Sequence, residues 1–189
     1  SSDPVNANYL AGLFHSTTWL ISPLNWMALI RDTLKVAVQK PFLIFIGILS
    51  LLLLLLYKNW AKQQLAAISV KVEKIYTDNF NYTLQALAYT LILVLPISLL
   101  FYYLGWFLSS NTHVADFTRA IGQGLQAASK PLLFLQFFYR LFAEEGIARN
   151  HFQWQKNTVK LLRKQIAWLR FVAVISVFIV NCTAASKVT

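Results

Sequence analysis

Residues Leu84 to Leu108, LQALAYTLILVLPISLLFYYLGWFL, decide the fold of this chain. The stretch is 25 residues long, contains no charged side chain and ends in a cluster of aromatic residues. A helix of this length crosses a hydrocarbon core of ~30 Å with some tilt, whereas a soluble core requires no such run. Only helices and closed barrels satisfy their backbone polar groups in lipid, and no segment alternates like a barrel strand. The sequence therefore predicts an all-α, polytopic membrane protein.

The composition of the whole chain agrees with this fold class. Of all residues, 57% are hydrophobic and 13% are charged, whereas about a quarter are charged in ordinary soluble domains. The net charge is +10, but the basic residues lie between apolar runs, which favours membrane topology over nucleic-acid binding. Membrane lipids are therefore the expected partner, and no nucleic acid is expected.

The two chain properties that bear on processing and redox chemistry are the N-terminal sequence and the cysteine content. The chain begins with SSDPVNANYL, which contains no initiator Met and no signal-peptide pattern. This start predicts either a processed chain or a segment of a longer one. The single cysteine, Cys182, excludes an intrachain disulfide and a multi-cysteine metal site.

Residues 1–40 are predicted to form a juxtamembrane segment with one amphipathic helix. Ser22 as N-cap and Pro23 at the first helical position predict where this helix begins. Its apolar residues recur at helical spacing, at Leu24, Met27, Ala28, Ile30, Leu34 and Val38. Such a helix either packs against a soluble domain or lies on a membrane surface, and the sequence leaves both alternatives open.

Residues 41–185 are predicted to form a four-span membrane domain, followed by a tail at 186–189. The predicted spans are residues 41–57, 84–108, 117–142 and 166–185. The first is near the lower length limit, so its position beside the long second span predicts a hydrophobic mismatch. The connections 58–83 and 143–165 are basic, whereas 109–116 contains neither Lys nor Arg. The positive-inside rule then places both basic loops in the cytoplasm and both chain ends outside.

Within the spans, prolines and small residues predict how the helices pack. Pro96 predicts a kink in the second span, and Ser98 is close enough in sequence to satisfy the backbone groups that the proline frees. The third span contains small residues at every fourth position, which let two helices approach closely. These residues are Ala120, Gly124 and Ala128.

Two basic residues fall inside predicted spans. Lys130 is followed by Pro131 at the middle of the third span, where a charge costs ~2.5–3.5 kcal/mol on insertion scales and marks a functional candidate. The alternatives are a wet, protein-lined groove, snorkelling beside the proline, or contact with a lipid phosphate. Arg170 lies one turn inside the fourth span and is predicted to snorkel toward the basic loop.

No catalytic, cofactor or metal site is predicted. His15, His113 and His151 are far apart, and none has a partner three or four residues away that would form a metal-binding pair. The sequence contains no Gly-rich phosphate loop and no nucleophile elbow, and no carboxylate falls inside a predicted span. The sequence therefore predicts a protein that is not an enzyme.

Five motifs occur in an order and at spacings that resemble a known family. They are DNFNYTLQAL at 78–87, LGWFL at 104–108, DFTRAIGQGL at 116–125, GIARNHFQW at 146–154 and VKLLRKQIAWL at 159–169. Together they resemble inner membrane domain 1 of the large, many-helix members of the small-conductance mechanosensitive channel superfamily, the potassium-efflux type of Gram-negative bacteria. The resemblance covers roughly residues 22–185.

The resemblance implies a heptameric channel of the bacterial inner membrane that protects against osmotic shock. It also implies a fragment that lacks the pore helix and the cytoplasmic β domain, with a periplasmic domain upstream. The resulting hypothesis is a peripheral, tension-sensing membrane segment. The alternatives are a segment of a transporter or permease, which would require paired intramembrane charges, and a passive anchor for a periplasmic domain.

Overall fold

The structure is a computed structural model that describes residues 18–74, 80–111, 114–142 and 156–185. These residues form five long helices, which we number in chain order. They are α1 (Pro23–Gln39), α2 (Pro41–Lys74), α3 (Phe80–Ser109), α4 (Asp116–Leu141) and α5 (Lys156–Ala185). The described residues contain no strand, so the predicted all-α fold class is confirmed.

Helix α1 is amphipathic, as predicted, but its apolar stripe faces away from the protein. Pro23 occupies the first turn, and Ser22 takes the N-cap position without a side-chain capping bond. The two buried residues of α1 are Asp32 and Val36. The apolar residues of the outward stripe are 58–80% exposed, namely Leu24, Met27, Ile30, Leu34 and Val38. This stripe is not the face that packs against the rest of the chain.

Helix α2 continues to Lys74, beyond Tyr57, the predicted end of the first span. Residues 58–74 contain neither Gly nor Pro and are rich in the strong helix formers Ala, Leu, Lys and Gln, so the helix does not stop where the apolar run ends. The apolar part that can cross a membrane is Pro41–Ala67, which has 27 residues, the same number as Thr83–Ser109 in α3. The mismatch predicted from two unequal spans therefore has no basis in helix length.

Helix α3 matches its predicted span closely, with Pro96 buried inside a continuous helix. The predicted role of Ser98 is wrong. Its hydroxyl oxygen is buried and has no hydrogen-bond partner, so it does not satisfy the backbone groups freed by the proline. The nearby Thr90 instead donates to the carbonyl oxygen of Ala86, one turn earlier, at 2.7 Å.

Helix α4 coincides with the predicted third span to within one residue at each end, but it is not a strongly apolar helix. By length and composition, three described helices can cross a membrane, and these are α2, α3 and α5. Helix α4 instead packs between α3 and α5, with ten buried residues. Glycines, polar side chains and Lys130 lower its hydropathy, so a count of apolar helices gives three spans where four were predicted.

Helix α5 begins at Lys156, ten residues before the predicted start of the fourth span. The basic segment before Ile166 is therefore helical and belongs to the same helix as the apolar run. Residues 143–155, which include Glu144, Glu145 and His151, lie outside the described part of the chain, as do His15 and His113.

The main hydrophobic core lies at one end of the helix bundle. It joins Val36 of α1, Phe107 of α3, Phe117 of α4 and Cys182 of α5. Smaller clusters lie at the opposite end, where Ala86 of α3 contacts Leu141 of α4. Since Gly105 of α3 faces the beginning of α4 and Ala86 faces its end, the two helices are antiparallel.

Candidate functional site

Two of the three predicted small residues on α4, Ala120 and Gly124, lie against α5. Ala120, Gly124 and Ala128 are all buried. The thiol of Cys182 donates to the carbonyl oxygen of Ala120 at 3.5 Å. A Cβ atom added at Gly124 would lie 2.5 Å from the Cys182 sulfur and 3.0 Å from the Phe178 ring. This part of the interface therefore requires glycine at position 124.

A second close approach, which sequence reasoning missed, joins α3 and α4 at Gly105 and Gly122. A Cβ atom at Gly105 would lie 2.5 Å from the Gly122 carbonyl oxygen, and one at Gly122 would lie 2.7 Å from the Gly105 carbonyl oxygen. The contact is between two backbones, so no side-chain rotation can relieve a clash there. Glycines inside the two helical patterns, Gly105 in α3 and Gly122 beside Gly124 in α4, were the available signal, but the pairing of Gly105 with Gly122 could not be predicted from spacing.

Asp32 of α1 stabilises the N-terminal end of α4. Its Oδ2 accepts a hydrogen bond from the Ala115 backbone N–H at 2.8 Å and another from the Thr118 hydroxyl at 2.9 Å. The first N–H groups of a helix lack intrahelical partners and carry a partial positive charge, so a carboxylate there is favourable. Because the partners lie more than 80 residues along the chain, no local pattern could have found this contact.

Two further contacts fix the same end of the bundle. The Lys40 ammonium, at the junction of α1 and α2, donates to the Asn111 side-chain oxygen at 2.7 Å. The Phe117 ring packs edge-on against Trp19 and Trp26, with ring centroids 4.9 and 5.5 Å apart. We call this region, with Asp32, the capped end of the bundle.

Helix α2, in contrast, contacts the rest of the bundle through few residues. Among residues 41–67, only Gly47 and Ala61 are buried. Tyr103 of α3 packs directly on Gly47, and its hydroxyl donates to the Leu43 carbonyl oxygen. At the other end of the span, the rings of Trp60 and Tyr89 are 5.4 Å apart.

Beside the Gly47–Tyr103 contact, α2 and α3 enclose a narrow apolar groove of about 180 Å³. Leucines of both helices and two tyrosines of α3 line most of it, with Gly47 and Ser50 on the α2 side. The two helices therefore leave space between their side chains next to this contact. Helix α2 is therefore an apolar helix held by an aromatic contact at each end.

Lys130 and Pro131 lie outside the helix contacts described above. The Lys130 side chain is exposed and Pro131 is half-buried, on the side of α4 that also exposes Asp116, Gln123 and Phe134. Among the described residues, no hydrogen bond or ion pair involves Lys130. Pro96, on α3, is buried inside the bundle. The structure thus leaves Lys130 on an exposed side of α4 that carries polar residues together with Phe134.

Arg170, which was predicted to snorkel toward the basic loop, lies against α4. Its guanidinium donates to the Gln136 side-chain oxygen and lies 4.6 Å from the centroid of the Tyr139 ring. Arg163, seven residues earlier on α5, lies 4.8 Å from the same ring. A hydrogen-bond acceptor and an aromatic face on the neighbouring helix are stronger local partners than solvent at the membrane boundary.

The described side chains contain no group of three His, Cys, Asp or Glu residues that could hold a metal ion. The candidate functional features are the contacts between helices, the exposed apolar face of α2 and the two arginines that lie against Tyr139.

Comparison with known proteins gives one match. The family model described as "Mechanosensitive ion channel inner membrane domain 1" matches residues 41–188, which is 148 of the 189 residues and includes α2 to α5. No curated protein and no solved structure matches the chain.

Proposed function

Because the chain belongs to the mechanosensitive ion channel inner membrane domain 1 family, we propose that it is a peripheral, tension-sensing segment of a channel. The observation that carries this proposal is the asymmetry between α2 and the α3–α4 pair. Helix α2 presents almost its whole apolar span to lipid, while α3 and α4 approach each other through backbone atoms at Gly105 and Gly122. Tension acts on a protein only where two packings differ in their area in the membrane. Helix α2 can move relative to α3 at little cost, because only Gly47 and Ala61 of its apolar span are buried.

The proposed topology and assembly are based on the family assignment and on the charges of the loops. In it, α4 crosses the membrane as an inner helix shielded by α3 and α5, which gives four spans. The basic loops are cytoplasmic, both ends are periplasmic, and the segment belongs to a longer, heptameric channel of the potassium-efflux type in the inner membrane of Gram-negative bacteria. The outward apolar stripe of α1 supports a helix that lies on the membrane surface. The proposed role is that of a channel segment and not of an enzyme.

A pressure-ramp patch recording tests whether the segment couples tension to the gate. The channel polypeptide that carries this segment is recorded with and without residues 41–185, and surface expression is measured for both. We expect the deletion to shift the pressure threshold. If the channel opens at the same threshold without the segment, the segment is a passive anchor. If the intact polypeptide never conducts under suction, the channel assignment itself is wrong.

A point substitution tests the role of α2 separately. Ala at position 47 displaces the Tyr103 ring and weakens the contact that holds α2 against α3, so Gly47→Ala should lower the pressure threshold. Tyr103→Phe removes the hydrogen bond to Leu43 and should shift the threshold in the same direction by less. Ile48→Ala is the matched control, since Ile48 is 62% exposed on the lipid side of α2. Equal thresholds in Gly47→Ala and Ile48→Ala would contradict a sensing role for this contact.

A further inference from the structure

A cluster of cations lies where the end of α4 meets the first half of α5. Arg163 and Arg170 are seven residues apart, or about two turns of one helix face, and both guanidinium groups lie within 5 Å of the Tyr139 ring centroid. Lys160 and Lys164 are exposed on the same part of α5, and Arg140 follows Tyr139 on α4. Two guanidinium groups thus lie on one tyrosine ring, and three further basic residues lie near them along the two helices.

No described carboxylate neutralises this cluster. The described acidic side chains, Asp32 and Asp116, lie at the N-terminal end of α4, about 35 Å from Tyr139 along the helix. The Nε atoms of Arg140 and Arg163 are buried, and neither has a hydrogen-bond partner. Buried donors on charged groups are normally paired. Among the described side chains, the cluster therefore has no acidic partner, and two of its buried donors are unused.

The surroundings of the cluster identify the ligand as amphipathic. Trp168 and Phe171 lie on the neighbouring face of α5 and are 70% and 68% exposed. With Lys164 they line an open groove of about 580 Å³. Tryptophan favours the headgroup level of a bilayer, and an exposed phenylalanine beside it offers an apolar surface to an acyl chain. A soluble anion would use the cations but not this apolar surface.

We propose that Arg163, Arg170 and Tyr139 form a binding site for the phosphate group of an anionic phospholipid, with its acyl chain along Trp168 and Phe171. The planar guanidinium fork matches phosphate oxygens, and the tyrosine ring holds both guanidiniums so that little side-chain freedom is lost on binding. The site lies at the end of the bundle opposite the capped end. Lipid binding at this site is measured without recording channel activity. The result therefore does not depend on whether the proposed gating role is correct.

Native mass spectrometry of the 189-residue chain in detergent micelles tests this site. Phosphatidylglycerol is titrated against phosphatidylcholine, and we expect the anionic lipid to bind about tenfold more tightly. Arg163→Gln and Arg170→Gln should each remove most of this preference. Arg163→Lys retains the charge but loses the planar fork, and should still weaken phosphatidylglycerol binding several-fold. Equal binding of the two lipids to the unsubstituted chain would overturn the proposal.

Lys62→Gln is the matched control, because it removes one exposed charge from α2, a helix outside the cluster. An equal loss of binding in Lys62→Gln and Arg163→Gln would overturn the site in favour of general charge attraction. Tyr139→Leu retains every charge and should also weaken binding, which tests the site even if an arginine variant fails to fold. Displacement of phosphatidylglycerol by millimolar glycerol phosphate would assign the cluster to soluble phosphates and overturn the lipid assignment.

Discussion

Helices α2 and α4 reverse the usual relation between apolarity and burial. Helix α2 contains an uninterrupted apolar run, yet only Gly47 and Ala61 are buried between residues 41 and 67. Helix α4 contains Gln, Ser, Thr and Lys residues, yet ten of its residues are buried. In water the apolar helix would be inside. In lipid, apolar side chains gain nothing from leaving the solvent, so small and polar residues mark the interfaces between helices.

The two helices also differ in the kind of atom that holds them. Helix α4 meets α3 through backbone atoms at Gly105 and Gly122, whereas α2 meets α3 through a tyrosine ring laid on Gly47. Backbone contacts cannot adjust, but a ring can rotate. This difference predicts that the same substitution, Gly to Ala, has unequal effects at the two interfaces.

The largest expected effect is that of Gly122→Ala. The added Cβ atom would lie 2.7 Å from the Gly105 carbonyl oxygen, so the helices must separate, and we expect a loss of ~2 kcal/mol in the free energy of unfolding. Gly47→Ala should change it by no more than ~0.5 kcal/mol, since the gain in helix propensity offsets the displaced ring. Unfolding in mixed detergent micelles measures both. Equal losses would mean that α2 is packed as rigidly as α4.

The next effect concerns the capped end, where α4 is tied to α1. Asp32→Ala leaves the Ala115 N–H and the Thr118 hydroxyl without their acceptor, and should cost ~1–2 kcal/mol. Asp32→Asn should cost less, because the amide oxygen still accepts. Lys35→Ala, an exposed change on the same helix, serves as the control in the same unfolding assay. If Asp32→Ala and Lys35→Ala have the same free energy of unfolding, α1 does not contribute to the stability of α4.

The third and smaller expected effect concerns the interface of α4 with α5, at Gly124 and Cys182. Gly124→Ala places a Cβ atom 2.5 Å from the Cys182 sulfur, and should cost ~1 kcal/mol. Cys182→Ala removes that sulfur, so the double variant should be more stable than the sum of the two single changes by ~1 kcal/mol. Strict additivity in this double-mutant cycle would show that the two side chains do not meet.

Much of the fold could be predicted from local sequence. The bounds of α3 and α4 follow from the apolar run and from the polar turn between them, and two of the three predicted small residues, Ala120 and Gly124, contact α5. The end of α2 could not be predicted from hydropathy, because Lys and Gln end an apolar run without ending a helix. The beginning of α5 was missed for the same reason.

The candidate site was less predictable, because its contacts join residues that are distant in sequence. Asp32 reads as one polar residue of an amphipathic helix until α4 is placed against it. Arg170 reads as a snorkelling residue until Gln136 and Tyr139 supply an acceptor and a ring. In both cases the partner is on another helix, and one sequence does not contain the register between helices.

The smallest expected effect is that of Lys130→Gln, and it tests the open side of α4. Lys130 is exposed and Arg170 is held by Gln136 and Tyr139, although sequence position made both intramembrane cations candidates. Lys130→Gln should therefore change the free energy of unfolding by no more than ~0.5 kcal/mol, whereas Arg170→Gln should cost ~1 kcal/mol because it removes a cation–π contact and a charge-assisted hydrogen bond. The two variants are compared in the same micelles. A loss at Lys130 as large as that at Arg170 would mean that Lys130 has a partner in the folded chain, and that this side of α4 is packed where the exposed face of α2 is not.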